Sequence, residues 1–200
     1  MKRQRLVVSG QWLEKDGARN LTSCGLHIMF AGVLMIAIAS TSVLAQEPAS
    51  ALTHTRTEFN FMANAPFEQV GPLFGANEER KWSPDWNPQF LYPQPAHDQP
   101  GMVFKIMHGQ HEAFWVNTAF DLAAGHIQYA YVLNDAMATL IDIHVTRNGA
   151  QKTSITVVYE RTALIPEANE HVQHFAQGDE RAGKEWEEAI NGYLLKSGQK

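Results

Sequence analysis

Two hundred residues, 44% hydrophobic and 18% charged, carry enough apolar surface to offset the entropy of ordering, which excludes a collagen-like or largely disordered chain. The formal net charge of -5 divides unevenly: residues 1–45 hold five Lys/Arg against two Asp/Glu, and residues 46–200 hold 11 against 19. So acidic a body is poorly matched to a phosphate backbone, and no nucleic-acid partner is expected. The single cysteine, Cys24, leaves no intrachain disulfide and no multi-cysteine zinc site.

The chain opens with Lys2, Arg3, Arg5, Lys15 and Arg19 ahead of an apolar run from Leu26 to Ala39, followed by Val43 and Ala45 as small residues of a signal-peptidase site. Residues 1–45 therefore read as a signal segment cleaved after Ala45, and the address as secreted, in a periplasm. The alternative is an uncleaved anchor. At 1.5 Å per residue the run spans roughly 21 Å, short of the ~30 Å hydrocarbon core. Contact with a membrane is thus expected only through this segment before cleavage. Cys24 precedes the apolar run, where a lipobox cysteine would follow it, so lipidation is not expected.

Residues 46–53 form a loose leader, 54–196 one folded domain and 197–200 a tail. Alternation from His54 to Phe61, with Phe59 and Phe61 on one face, predicts a strand. Pro66 to Phe74 predicts a short helix. The prolines of Asn77 to Pro100 allow at most a strand near Gln89 to Tyr92. Beyond Gly101, four turns (Gly109-Gln110, Ala124-Gly125, Asn134-Asp135 and Asn148-Gly149) separate five alternating segments, which predicts an antiparallel meander. From Pro166 to Lys196, Val172, Phe175, Ala182, Trp186, Ile190 and Tyr193 recur at helical spacing; Gly178 and Gly183 inside this helix predict a kink or thinning. The fold class is α+β: a curved antiparallel sheet of six to seven strands wrapped on a long C-terminal helix, with a cavity between them.

This order of elements, together with Asn64-Ala65-Pro66-Phe67-Glu68-Gln69-Val70 and Glu79-Arg80-Lys81-Trp82-Ser83-Pro84-Asp85-Trp86, resembles the START/Bet v 1-like (SRPBCC) superfamily, in its polyketide cyclase and lipid-transport branch. The resemblance implies a helix-grip fold around an apolar cavity. It does not imply one activity, because members bind lipids, sterols and aromatic polyketides and only some are cyclases.

The expected cavity walls are Trp82, Trp86, Phe104, Phe114, Val116, Tyr129, Tyr131, Phe175 and Trp186, with the choice of strand face open because one residue of register exchanges every wall position. Trp82 and Trp86 read either as an aromatic rim at the mouth or as a plug beneath the loop, and Trp115 as a surface aromatic. Hydroxyls of Tyr129, Tyr131 and Tyr159 either orient a ligand or bond to backbone. Asp142 and His144 are the only general acid/base candidates, and their parity with Ile141 and Ile143 places them on the solvent side. Glu79 with Arg80 reads as a solvated pair. His108 with His111, and His171 with His174, form local pairs, while His126 and His144 fall on separate strands. No third ligand at metal spacing is evident, so no metal site and no cofactor are expected.

The leading expectation is a monomer or weak homodimer that binds a small hydrophobic or aromatic, lipid-like molecule. A cyclase or dehydratase using the same cavity is the first alternative. A structural or partner-binding envelope domain with a filled core is the second.

Overall fold

Alternating apolar and polar side chains build β1 (His54–Ala63), β2 (Gln89–Tyr92), β3 (Val103–His108), β4 (His111–Asp121), β5 (His126–Leu133), β6 (Met137–Arg147) and β7 (Thr153–Ala163). They form one seven-stranded sheet in the order β1-β7-β6-β5-β4-β3-β2, with every neighbouring pair antiparallel. The computed structural model describes residues 51–108, 111–133 and 136–198. The expected signal segment and its cleavage point, Cys24, residues 46–50 of the leader, the end of the tail and the turns at Gly109-Gln110 and Asn134-Asp135 lie outside the described residues. Among the described residues no helix is long and apolar enough to cross a membrane.

Two turns rest on glycine. Gly125 has φ +68°, and a Cβ there would lie 2.1 Å from the Val145 carbonyl oxygen, so no side chain fits between β4 and β5. Gly149 has φ +79° in the loop after β6, which the Asn148 N–H closes by donating to the Lys152 carbonyl at 2.9 Å. That loop runs from 148 to 152, longer than a two-residue hairpin. Between β4 and β5 the register shifts from Asn117 to Ala119, leaving Thr118 as a bulge residue that bends the strand.

The expected helix over Pro66–Phe74 divides into α1 (Phe67–Val70) and a 3-10 turn (Gly71–Phe74). Pro72 has no N–H to continue the helical bonding, although Val70 and Gly71 before it keep helical backbone angles.

After a 3-10 turn at Pro166–Ala168, α2 runs unbroken for 29 residues, Asn169–Ser197. It buries Val172, Phe175, Asp179, Gly183, Trp186 and Ile190. Gly178 and Gly183 do not interrupt the helix. Gly183 instead lets α2 touch β1: a Cβ there would meet the Phe59 ring at 2.7 Å. Near the end of β1, Asn191 accepts the Asn64 N–H at 2.8 Å and donates to the Met62 carbonyl at 2.9 Å, so a helix side chain occupies bonding positions of an edge strand. The helix lies against β1 and less extensively against β7, leaving the far strands to be covered by aromatic side chains.

Gly183→Ala should destabilise the domain by about 1–3 kcal/mol through overpacking, although alanine is the better helix former. A urea midpoint equal to or above that of the parent protein would contradict this close helix–strand contact.

Candidate functional site

Pairing register brings together residues that are distant in sequence. Across the inner face of the sheet, Thr55, Arg161, Thr139, Tyr131, Trp115 and Phe104 stand opposite one another in a single transverse row. The adjacent row is Thr57, Tyr159, Ile141, Tyr129 and Asn117. The next, Phe59, Val157, Ile143 and Ile127, is wholly apolar. The interior is therefore an apolar core at one end and a polar, aromatic band across its middle.

Rings pack the band against the elements above it. Trp115 stacks on Tyr131 at 4.2 Å between centroids, meets Trp86 edge-on at 5.5 Å and lies beside Phe104 at 5.7 Å. On the helix side, Trp186 contacts Trp82 at 5.5 Å and Phe59 at 5.7 Å. The indole N–H of Trp82 donates to the Leu73 carbonyl at 2.8 Å, and that of Trp86 to the Ala76 carbonyl at 2.7 Å. Both tryptophans are buried and tied to backbone, which makes them a plug under the proline-rich loop and not a solvent-facing rim. The Tyr129 hydroxyl likewise donates to backbone, at the Phe74 carbonyl, 2.9 Å away.

Other polar atoms of the band are not paired in this way. The indole nitrogens of Trp115 and Trp186, Ser83 Oγ, His108 Nε2, Glu79 Oε1 and Arg161 Nε are buried without a hydrogen-bond partner among the described residues. Arg161 spends its terminal nitrogens on Asp179 of α2, with Nη1 to Oδ2 at 2.6 Å and Nη2 to Oδ1 at 2.9 Å. Thr57 donates to the same carboxylate, and the guanidinium lies 4.1 Å above the Tyr159 ring. Burial alone would lower the Arg161 pKa, but the bonds and charge of Asp179 raise it, so the pair is ionised. Burial, with the nearby charge of Asp98 adding to it, pushes the Glu79 carboxyl well above the usual carboxylate range. Burial also pushes the phenols of Tyr129, Tyr131 and Tyr159 up. His108, stacked on Tyr131 at 5.9 Å, is pulled down by burial to about 4.

Seven of the nine expected wall residues face this interior: Trp82, Trp86, Phe104, Tyr129, Tyr131, Phe175 and Trp186. Phe114 and Val116 do not. They are 41% and 38% exposed on the outer face, while Trp115 between them is 1% exposed. The parity of β4 is as expected and the choice of face is reversed. Three consecutive large apolar residues, Phe114-Trp115-Val116, give alternation nothing to distinguish inside from outside. Glu79 and Arg80 are not a solvated pair: Glu79 is buried and Arg80 lies 4.8 Å over the Phe90 ring. Asp142 and His144 sit on the outer face and cannot act on a guest inside. Burial of Asp142 is outweighed by the bond from His126 and the neighbouring imidazoles, which hold its carboxyl below the usual range. Sequence reasoning passed over Arg161 and Asp179, and weighed Glu79 only as a solvated partner of Arg80 and His108 only as a local partner of His111. The one available signal was an arginine at an inward position of β7, in step with Val157 and Tyr159.

A separate open cleft of about 580 Å³ lies at the C-terminal end of α2, where Asn64, Gln69, Gln151, Asn191, Leu194 and Leu195 line it. None of the expected wall residues borders it.

No protein-family model and no curated protein sequence matches the chain. Solved structures do. Norcoclaurine synthase from Thalictrum flavum aligns with a TM-score of 0.56 at 13% identity, over 72% of this chain and 88% of that one. The Zhui aromatase/cyclase from Streptomyces sp. R1128 aligns at 0.54 and 14%, over 72% and 95%. Ara h 8.0201 aligns at 0.51 and 15%, over 72% and 99%. These likenesses establish the helix-grip fold that the resemblance in sequence implied.

Because His108 is neutral in the folded protein down to about pH 4, while an unfolded chain binds its proton near 6.5, acidification favours unfolding across that window. Stability is fully present above pH 6.5, and this residue alone should cost up to about 3 kcal/mol as pH falls towards 4. His108→Phe should flatten that stretch of the pH–stability curve. Equal slopes for the two proteins would show that the imidazole is not buried in its neutral form.

Proposed function

We propose that this domain binds a small, mostly apolar or aromatic molecule bearing hydrogen-bonding oxygens, held in the interior between the sheet and α2. The observation that carries this reading is the set of unpartnered polar atoms in the band: the indole nitrogens of Trp115 and Trp186, Arg161 Nε, Ser83 Oγ and His108 Nε2. Each buried group left unsatisfied costs about 1–3 kcal/mol, which a guest with polar atoms at those positions would recover. Ring faces around them supply apolar burial at about 25 cal/mol per Å², and the polar atoms fix orientation. A simple lipid chain would use the rings and leave those atoms unpaired, so the guest class narrows to oxygenated aromatics. One solved structure of norcoclaurine synthase is a complex with dopamine and hydroxybenzaldehyde, two molecules of that chemical kind.

A catalytic reading has one specific observation behind it. Burial pushes the Glu79 carboxyl well above its usual range in the interior, which favours its protonated form, and a carboxylic acid in a dry site can protonate a carbonyl or a leaving hydroxyl. Cyclisation and dehydration both need such a step. Binding is the prior requirement for either role.

Titration of the tryptophan fluorescence with paired planar probes, naphthol and naphthalene, tests the binding reading. The oxygenated member should bind at least tenfold tighter, and Trp115→Phe, which keeps the ring face but removes the N–H, should narrow the gap. Equal affinity for both probes, or none for either, would return the interior to a filled structural core.

The positive, apolar segment 1–45 supports export of the domain from the cytoplasm. N-terminal sequencing of the exported chain should begin at Gln46; a chain that keeps residues 1–45 in the membrane fraction would overturn cleavage after Ala45.

A further inference from the structure

On the outer face of the sheet, pairing of β5 with β6 sets His126 directly across from His144, and Gln128 across from Asp142. The two imidazoles stack with centroids 5.0 Å apart and planes 10° from parallel. Both Nε2 atoms converge on one carboxylate: His126 lies 2.6 Å from Asp142 Oδ1, and His144 lies 3.2 Å from Oδ2. Ligand atoms from the three residues all fall within 4.8 Å of one another. A tetrahedral ion with bonds of 2.0–2.1 Å spaces its donors about 3.4 Å apart, a value these separations bracket.

We propose that His126, Asp142 and His144 form a binding site for a divalent transition-metal ion of the zinc type. Two imidazoles and a carboxylate suit zinc, copper or nickel and not calcium or magnesium, which prefer all-oxygen shells. Three protein ligands leave the fourth position towards solvent, since all three residues are partly exposed. Gln128 Nε2, 3.3 Å from Asp142 Oδ1, orients the carboxylate from behind, as outer-shell groups do in built sites. The residues paired across from the three are Asp121, Thr156, Gln128 and Val158, none of them a lysine or arginine. The site stands on the opposite face of the sheet from the aromatic interior and is independent of the guest proposed there.

Calorimetric titration of the full chain with zinc chloride at pH 7.5 should show saturable binding of one ion per chain. His126→Gln, His144→Gln and the near-isosteric Asp142→Asn should each weaken it at least tenfold while the thermal midpoint without metal stays near that of the parent. A control that replaces the helix pair, His171→Gln with His174→Gln, should leave affinity within twofold. With copper(II) in place of zinc, the electron paramagnetic resonance spectrum should show coupling to two nitrogens, falling to one in His144→Gln. No saturable zinc binding, binding that survives both outer-face histidine variants, or binding lost in the helix-pair control would each overturn the assignment.

Discussion

Arg161 projects from the inner face of β7 and Asp179 from the buried face of α2, and they meet as a two-pronged ion pair with Thr57 of β1 on the same carboxylate. Both charges are almost wholly withdrawn from water. Leaving either alone in that setting costs about 3–5 kcal/mol, so any shift of α2 along the sheet that separates them is strongly opposed. Hydrophobic stripes on a helix tolerate sliding; a bidentate pair does not. It therefore fixes where the helix lies, and with it which rings of Trp186 and Phe175 face the sheet. Gly183 completes the docking by allowing contact with Phe59.

That placement explains why the polar band persists. The helix covers β1 and part of β7, and the space over β3 to β6 falls to side chains from the loop that contains Trp82 and Trp86. Their own indole groups are satisfied by backbone, whereas those of Trp115 and Trp186 are not. The contrast separates aromatics that close the core from aromatics that present a donor to it. Glu79 belongs with the second group, its carboxyl pushed well above the usual range by burial.

Much of this architecture was legible from the chain alone. Alternation located β1 and the five strands of the meander, the surrounding prolines left room for a strand only at β2, and short turns required antiparallel pairing. What the sequence could not settle was set by contacts between distant segments. Alternation gives two faces without saying which is inside, and Phe114 and Val116 fell on the wrong one because both faces of β4 are apolar there. Pro72 shows how one missing N–H converts half of an expected helix into a tighter turn. Arg161 and Asp179 are 18 residues apart on different elements, and no local spacing announces that they pair. His126 and His144 became neighbours only through the register of β5 on β6, so a search for closely spaced ligands passed over them.

A sheet of seven strands has two open borders, and both are obstructed in this fold. Along β1, Asn191 of α2 already occupies the Asn64 N–H and the Met62 carbonyl. Along the other border, β2 is only four residues long and is flanked by Pro88 and Pro93, which cannot donate to a further strand. Phe114 and Val116 lie on a central strand paired on both sides, so their exposed side chains are not accompanied by free backbone groups that a second copy could extend.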